Sequence, residues 1–326
     1  MGKNKTAEKF KTMIGGQALI EGIMMLGPEK SAVVVRTKDG MQTKVSPVKK
    51  TEGFSLKKLP FIRGVFNFCK SMKTGVKALM YSADLFAEDD GETSENQSKF
   101  DRWLEKKLSG EKAQNVMVTI SVVLGIAFSV ALFFILPSLI GSVINRWITK
   151  NELVRNLLEV LIRILIFLTY MFLVSRMKDM KRVFSYHGAE HKTIRCYEAK
   201  LPLTVENARA QTRLHPRCGT SFLFVVIVIA VLASCVVFAL PGVRDVATNP
   251  IVRILLHLVL LPIVVAVTYE LNRFIGRHDN PLTRFLSAPG MWMQNFTTFE
   301  PDDSMLEVAI RALNLVLPEE KGADAW

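Results

Sequence analysis

Residues 222–240 read FLFVVIVIAVLASCVVFAL and contain no charged side chain. A helix needs roughly 20 predominantly apolar residues to cross the ~30 Å hydrocarbon core of a bilayer, so this run predicts a membrane-spanning helix. Three further apolar runs of similar length occur at residues 116 to about 140, 157 to about 174 and 251 to about 269. The sequence therefore predicts a mainly α, polytopic membrane protein with a four-helix transmembrane bundle.

The distribution of basic residues predicts the orientation in the membrane. The loop at residues 175–221 contains ten Lys and Arg residues, against three at 141–156 and one at 241–250. Because basic loops stay on the cytoplasmic side, the large loop and both termini are expected in the cytoplasm, and the protein in the inner (cytoplasmic) membrane. Residues 1–13 are polar and show no cleavable signal peptide.

The net charge of the chain is +12 at neutral pH. Anionic lipid headgroups attract basic residues beside a membrane by about 1 kcal/mol each, which predicts membrane lipids of the anionic inner leaflet as partners. Nucleic acid is not expected as a partner, because no run of basic residues interleaved with aromatic residues is present.

Composition divides the chain into five predicted segments. They are a basic N-terminus at 1–13, a cytoplasmic module at 14–87, an acidic linker at 88–99, a four-span membrane unit at 100–270 and a cytoplasmic C-terminal segment with an amphipathic helix at 271–326. Within the module, residues 32–37 and 41–45 predict a β hairpin with Asp39-Gly40 as a type I′ turn. The glycines of residues 15–22 predict tight turns or close backbone approach.

The second half of the module is predicted to be an amphipathic helix. It begins at Pro60 and extends to about residue 85, with apolar residues at helical spacing and lysines among them. Two placements are open: the helix lies on the inner leaflet of the membrane, or it packs on the β hairpin.

Residues 187–191 read HGAEH, an H-x-x-E-H motif. On a helix, positions i, i+3 and i+4 lie on one face, so His187 and His191 are predicted to bind one metal ion. Glu190 would lie beside the ion, either as a general base or as an acid that supports a ligand. H-x-x-E-H is the inverted form of the zinc-peptidase helix motif. The alternative interpretation is a polar helix face in a basic loop.

Three other residues are candidate ligands. His215 and Cys218 form an H-x-x-C pair, and Glu270 lies at the predicted cytoplasmic end of the fourth span. Imidazole, thiolate and carboxylate donors together favour zinc, or another divalent transition metal. The alternatives are that His215 binds a lipid phosphate, that Cys218 packs at the start of the third span, and that Glu270 pairs with Arg273 on one helix face.

These ligands meet only if the chain bends. A straight helical continuation of the second span would place His187 roughly 20 Å beyond the bilayer face, at 1.5 Å per residue. Cys218 and Glu270 are expected close to that face, so the segment at 176–197 must bend along the membrane surface. Gln17 and Glu21 are further candidates to reach this site from the N-terminal module, with plain turn formation as the alternative.

Together these motifs resemble the YqhQ-like bacterial membrane proteins, a family with a domain of unknown function. The resemblance covers nearly the whole chain and rests on residues 15–18 (GGQA), 21–22 (EG), 24–25 (MM), 186–192 (YHGAEHK), 215–221 (HPRCGTS) and Glu270. It implies a metal-dependent enzyme of the bacterial cell membrane and names neither a reaction nor a substrate.

Two classes of function follow from the motifs. A cytoplasm-facing zinc site with Glu190 as its proton-transfer group predicts a metal-dependent hydrolase acting near the inner leaflet, on a lipid-linked group or a juxtamembrane peptide. The alternative is a non-enzymatic partner-binding or assembly factor for a membrane-protein complex, in which four closed ligands form a structural metal site. A transporter using Arg163 and His257 ranks third, because no repeat symmetry is evident.

Overall fold

The structure is a computed structural model that describes residues 10–48, 59–90, 110–147, 152–238, 240–246, 249–320 and 322–325. Most of the predicted basic N-terminus and of the predicted acidic linker lies outside the described residues. The described chain is mainly helical and has an N-terminal antiparallel sheet of four strands, which confirms the predicted mainly α fold with a β-containing module.

The strands are β1 (Gly15–Leu19), β2 (Gly22–Leu26), β3 (Lys30–Thr37) and β4 (Gly40–Pro47). The helices are α1 (Ile62–Asp90), α2 (Gly110–Val130), α3 (Leu136–Trp147), α4 (Glu152–Arg176), α5 (Lys178–Glu198), α6 (Val205–Arg209), α7 (Gly219–Phe238), α8 (Val243–Val246), α9 (Pro250–Arg277), α10 (Pro281–Thr297) and α11 (Asp303–Asn314), with a π-helical turn at Ala131–Ile135 between α2 and α3.

The chain forms two compact units. The first contains Met1–Asp89, Phe172–Val226 and Val265–Trp326, and the second contains Asp90–Met171 and Ile227–Val264. The sheet, the H-x-x-E-H motif and the C-terminal helices therefore belong to the first unit.

The two central strands of the sheet, β2 and β3, are buried on both faces. The strands of the sheet follow chain order, each antiparallel to the next. Because successive side chains of a strand point to opposite faces, Ile23 and Val34 pack with α5 and α11, whereas Met24 and Val33 pack with Ala78 of α1. Helix α1 thus packs on the sheet, which is one of the two placements that its sequence left open.

The predicted hairpin is present, but its turn lies one residue earlier than predicted. Thr37 pairs with Gly40, so the two turn residues are Lys38 and Asp39 rather than Asp39 and Gly40. The positive φ of +123° falls on Gly40, the first residue of β4, because glycine has no β-carbon to oppose it. The glycine-rich stretch before it forms a further hairpin, β1–β2, whose turn residue Glu21 has a φ of +50°.

All four predicted apolar runs are helical. Among the described residues, the helical stretch Ile251–Arg277 is long and apolar enough to cross a membrane by itself. The segments Val160–Arg176 and Lys178–Glu198 meet this criterion only together, as a bent pair, and the apolar stretches Thr119–Phe133 and Phe224–Phe238 are shorter. By length and composition, the described helices therefore provide one or two candidate spans, and a complete four-helix transmembrane bundle is not established by them.

In the second unit, α4, α7 and α9 line a small pocket of mixed polar and apolar character. Its volume is about 20 Å³, and its polar lining includes Arg163, Ser234, Arg253 and His257. This is room for about one water molecule. The two residues that a transport path was predicted to use therefore line a pocket of this small size.

Candidate metal centre

Helix α5 carries the H-x-x-E-H motif and begins after a sharp break in the chain. Met177, with φ −67° and ψ 135°, is extended rather than helical. The helical segments on its two sides, Val160–Arg176 and Lys178–Glu198, are bent by 95°. The bend that the sequence required is therefore present, as a single break at Met177.

Three of the predicted ligands converge at this helix. The Nε2 atom of His187 is 3.1 Å from the Sγ atom of Cys218. One ligand atom from each of His187, His191 and Cys218 lies within 4.8 Å of the other two. Zinc bonds of about 2.0–2.1 Å to nitrogen and about 2.3 Å to sulfur place tetrahedral ligand atoms roughly 3.3–3.8 Å apart. Small side-chain movements would bring the three atoms to that spacing.

Backbone carbonyls orient both imidazoles. The Nδ1 atom of His187 is 2.8 Å from the carbonyl oxygen of Thr297, and the Nδ1 atom of His191 is 2.6 Å from that of Arg213. Because a carbonyl oxygen only accepts, each Nδ1 donates its hydrogen. The Nε2 atom of each ring is left for the cluster, which is the arrangement that metal-binding histidines commonly show.

The charges of the cluster favour a thiolate. Burial alone would raise the pKa of the Cys218 thiol, but His187 and His191 hold that pKa well below its usual value. Burial alone would lower the pKa of His187, but the charge and hydrogen bond of Cys218 raise it to about 9. The thiolate is the form of cysteine that binds a metal ion.

Glu190 is buried beside the three donors. Its Oε1 atom accepts a hydrogen bond of 3.0 Å from the backbone N–H of Gly16 in β1. Its Oε2 atom is also buried and has no hydrogen-bond partner among the described residues. Burial raises the pKa of Glu190, while His187 and His191 act in the opposite direction. A buried carboxylate oxygen without a partner is costly, so it fits a site that receives a metal ion or a water molecule.

His215 lies next to the cluster but is held by other groups. Its ring centroid is 5.5 Å from that of His191, and its Nε2 atom is 3.4 Å from Oε2 of Glu198. The side chain of Gln294 forms hydrogen bonds of 2.7 and 2.6 Å with the N–H and carbonyl groups of His215. Burial lowers the pKa of His215 to about 4. Its neutral ring therefore packs beside His191, outside the group of three donors.

Glu270 is engaged by α1. Arg63 donates to both of its carboxylate oxygens, and the N–H of Phe61 donates to Oε1 at 3.1 Å. The hydrogen bond from Arg63 lowers the pKa of Glu270. The structure thus uses Glu270 to join α1 to α9, and Glu270 is not one of the three converging donors.

The N-terminal module reaches α5 through Glu21. The guanidinium of Arg182 donates to both carboxylate oxygens of Glu21, and the hydroxyl of Tyr186 donates to Oε2 at 3.2 Å. Gln17 instead packs on α1, where a β-carbon added to Gly75 would lie 2.2 Å from its Oε1 atom. Glu21 therefore positions the helix that carries the donors, and Gln17 joins the sheet to α1.

Sequence reasoning missed several groups that shape the site. Gly16, Arg213, Gln294 and Thr297 act there mainly through backbone atoms or through bonds to backbone atoms. Such a role cannot be predicted from the type of residue, because every residue has a backbone carbonyl group. The signal that was available is the Gly15-Gly16 pair, which indicated close backbone approach.

The two adjacent glycines give a matched prediction. A β-carbon at position 16 would lie 2.9 Å from Cδ of Glu190, from the carbonyl oxygen of Met24 and from Sδ of Met25, whereas one at position 15 has nothing within 4 Å. We expect Gly16→Ala to lower the free energy of unfolding by about 1–3 kcal/mol. Gly15→Ala should leave it unchanged. Thermal unfolding of the two detergent-purified variants checks this, and equal melting temperatures would contradict it.

Fold and site together define a mainly helical protein with an N-terminal antiparallel sheet and a buried cluster of two histidines and a cysteine. The chain belongs to the family described as "Protein of unknown function (DUF1385)", whose sequence profile matches residues 59–319. It is 33% identical over 321 residues to "Uncharacterized protein YqhQ" of Bacillus subtilis (strain 168), an alignment that covers 97% of this chain and 95% of that protein. This confirms the resemblance that the motifs indicated. No solved structure matches the chain.

Proposed function

We propose that this chain is a multi-pass protein of the inner membrane with a cytoplasm-facing zinc site, and that it is a metal-dependent hydrolase acting near the inner leaflet. His187, His191 and Cys218 hold the metal in this proposal, and Glu190 transfers the proton. The four helical apolar runs are the membrane-crossing segments.

Exposed apolar side chains support the membrane part of the proposal. Large apolar residues of the second unit are 60–69% exposed on helices from all four runs, and they include Leu124, Ile126, Phe128, Leu165, Val236, Ile251 and Val259. Apolar surface of this extent is unfavourable in water, and it is the normal surface of a helix that faces lipid.

The orientation of the two imidazoles is the main observation in favour of the proposed metal site. Both Nδ1 atoms donate to backbone carbonyls, which leaves the Nε2 atoms on the side of the Cys218 thiolate, where His187 Nε2 lies 3.1 Å from Sγ. An ion bound there would replace this hydrogen bond and would have both imidazoles and the thiolate as ligands. The donor set of two imidazoles and one thiolate suits zinc.

The surroundings of Glu190 support its proposed role in proton transfer. A bound zinc ion would supply Lewis acidity to a water molecule or a substrate oxygen. Gly16 holds Oε1 of Glu190, so the carboxylate is fixed in position and Oε2 remains available to accept a proton. Hydrolysis is the simplest chemistry for three protein ligands with a carboxylate beside them.

The first test is the metal content of detergent-purified protein. We expect about one zinc per chain in the wild type by elemental analysis, and none in His191→Ala, which loses a ligand. His278→Ala is the matched control, since His278 is exposed and its Nδ1 is bonded within α9's last turn to the carbonyl of Phe274. Absence of metal from the wild type after addition of zinc would contradict the proposal.

A structural metal site in a partner-binding protein is the second candidate, and the burial of the donors favours it. His191 and Cys218 are only 2% and 7% exposed, Glu190 is 5% exposed and His187 is half-buried, which leaves little surface for a substrate. In that case Oε2 of Glu190 would be the fourth ligand and would close the site.

Glu190→Gln separates the two candidates. If Glu190 transfers a proton, the variant should bind zinc with nearly wild-type affinity, and its cobalt-substituted form should still respond to azide by a change in visible absorption. If Glu190 is the fourth ligand, the zinc affinity should fall by more than about 100-fold, because groups that only support a ligand contribute about 10–100-fold and a direct ligand should contribute more. Competition with a chelating dye measures the affinity.

A further inference from the structure

Helix α1 has one face that is covered by the protein. Gly75 lies against the side chain of Gln17. Ala78 and Ser82 are 5% and 0% exposed, and Ala78 packs with apolar residues of the sheet. These three positions lie at i, i+3 and i+7 and fix the side of the helix that faces the sheet.

The exposed surface of α1 carries an apolar stripe and a basic stripe. Met72, Val76 and Leu79 lie at i, i+4 and i+7, beside the covered face, and are 54%, 43% and 39% exposed. Lys70, Lys73 and Lys77 lie at i, i+3 and i+7, beyond the apolar stripe and away from the covered face, and are also exposed. These six residues are called the outer face of α1 below. Its composition is that of a helix lying at the interface of an anionic membrane.

The first turns of α1 contact the ends of two apolar helices. Gly64 lies against Ala266 and Tyr269 of α9, so closely that a β-carbon would come within 2.9 Å of Tyr269 Cβ. Asn67 donates a hydrogen bond of 2.8 Å to the hydroxyl of Tyr269. These contacts place the start of α1 where the apolar part of α9 ends.

A second contact also places the start of α1 at the end of an apolar helix. The ring of Phe68 lies 6.1 Å from that of Phe222, at the beginning of the long apolar run of α7. Two candidate membrane-crossing helices therefore meet α1 at their predicted cytoplasmic ends. The outer face continues from this point along the helix.

We propose that α1 lies in the plane of the membrane on the cytoplasmic side, with the outer face against anionic lipid. Met72, Val76 and Leu79 enter the boundary between headgroups and acyl chains, and the three lysines contact anionic headgroups. The inference rests on the proposed membrane crossing of α7 and α9. A lipid surface is the occupant because lysines accompany the apolar stripe, and because the helix begins at the ends of those two helices.

The test uses the full chain in liposomes of phosphatidylcholine and phosphatidylglycerol. Val76→Cys is combined with Cys69→Ser and Cys235→Ser, which removes the two exposed native thiols, and the new thiol receives an environment-sensitive fluorophore. Val45→Cys in the same background is the matched control, since Val45 is 45% exposed on β4. Val259→Cys, at a position 69% exposed on α9, reports membrane insertion itself.

We expect the label at position 76 to be quenched at least twofold more by doxyl-labelled lipid than the label at position 45. Iodide in solution should show the reverse order. Changing Lys70, Lys73 and Lys77 together to glutamine should reduce the lipid quenching at position 76. It should leave the quenching at position 259 unchanged.

Four outcomes would overturn the inference. Quenching of the label at position 76 by iodide alone would show a water-exposed helix. Protection from both quenchers would show a protein partner on the outer face. Lipid quenching at position 259 without lipid quenching at position 76 would refute this inference and leave the membrane crossing intact, whereas no lipid quenching at either position would refute both.

Discussion

Cys218→Ser is expected to lower the zinc affinity of the protein by more than about 100-fold. Groups that only support a metal ligand contribute about 10–100-fold to affinity, so the loss of a direct thiolate ligand should exceed this range. Zinc at 100 times its dissociation constant stabilises a folded protein by about 2.7 kcal/mol. We therefore expect zinc to raise the melting temperature of the wild type and to leave that of the variant unchanged at the same zinc concentration.

The other cysteines supply the controls for this experiment. Cys196 is as buried as Cys218, but its Sγ donates to the carbonyl of Pro202 at 3.4 Å, and Cys69 is exposed on α1. Cys196→Ser and Cys69→Ser should keep wild-type zinc affinity, as measured by competition with a chelating dye. A similar loss of affinity in all three variants would indicate a general effect on folding, and wild-type affinity in Cys218→Ser would remove Cys218 from the site.

Gly188→Ala is expected to be among the most destabilising single substitutions in the first unit. A β-carbon at this position of α5 would lie 2.0 Å from the carbonyl oxygen of Phe299, a backbone atom that moves only with its whole segment. Moving it would disturb the 3.0 Å hydrogen bond from Phe299 N–H to the carbonyl of Phe184 and displace Thr297, which orients His187. We expect a loss of about 3 kcal/mol or more in the free energy of unfolding.

A helical glycine with space around it is the matched control. Gly125 in α2 has nothing within 4 Å of the position of a β-carbon. Gly125→Ala should be neutral or should stabilise the protein by up to about 1 kcal/mol, because alanine favours a helix more than glycine. Chemical unfolding in detergent and zinc content measure both effects for both variants. A Gly188→Ala protein with wild-type stability and zinc content would show that the contact with Phe299 is absent.

The sequence was sufficient to find the three donors that converge. His187 and His191 are one turn apart, so the helical repeat alone places them on one face. Cys218 was identified from its spacing to His215 and from its chemistry as a zinc ligand. These inferences used residue types and short spacings, which can be read from the sequence without knowledge of the fold.

The positions of His215 and Glu270 could not be predicted from residue types and short spacings. Both have the chemistry of a ligand, and the structure gives each another partner, Glu198 and Arg63. Glu198 precedes His215 by 17 residues, and Arg63 precedes Glu270 by 207 residues. Such long-range pairings depend on how helices pack, and no short pattern in the sequence encodes them.

The sheet was also predicted only in part. Two strands were predicted at residues 32–37 and 41–45, from the run of valines and from the Asp39-Gly40 turn signal. The hairpin of residues 15–26 was predicted only as turns, because its glycines and methionines have weak strand preferences. Its strand pairing is stabilised by burial against α5, α11 and α1, which is tertiary rather than local.

The hydrogen bonds of the donors have a consequence for the order in which the site can form during synthesis. Gly16, which holds Glu190, leaves the ribosome early, the three donors follow, and Thr297, which orients His187, emerges near the end. A nascent chain that stops before Thr297 contains every donor but has one imidazole without its acceptor. Such a chain should bind the metal about 10–100-fold more weakly than the whole chain, because the carbonyl of Thr297 supports His187 as a ligand.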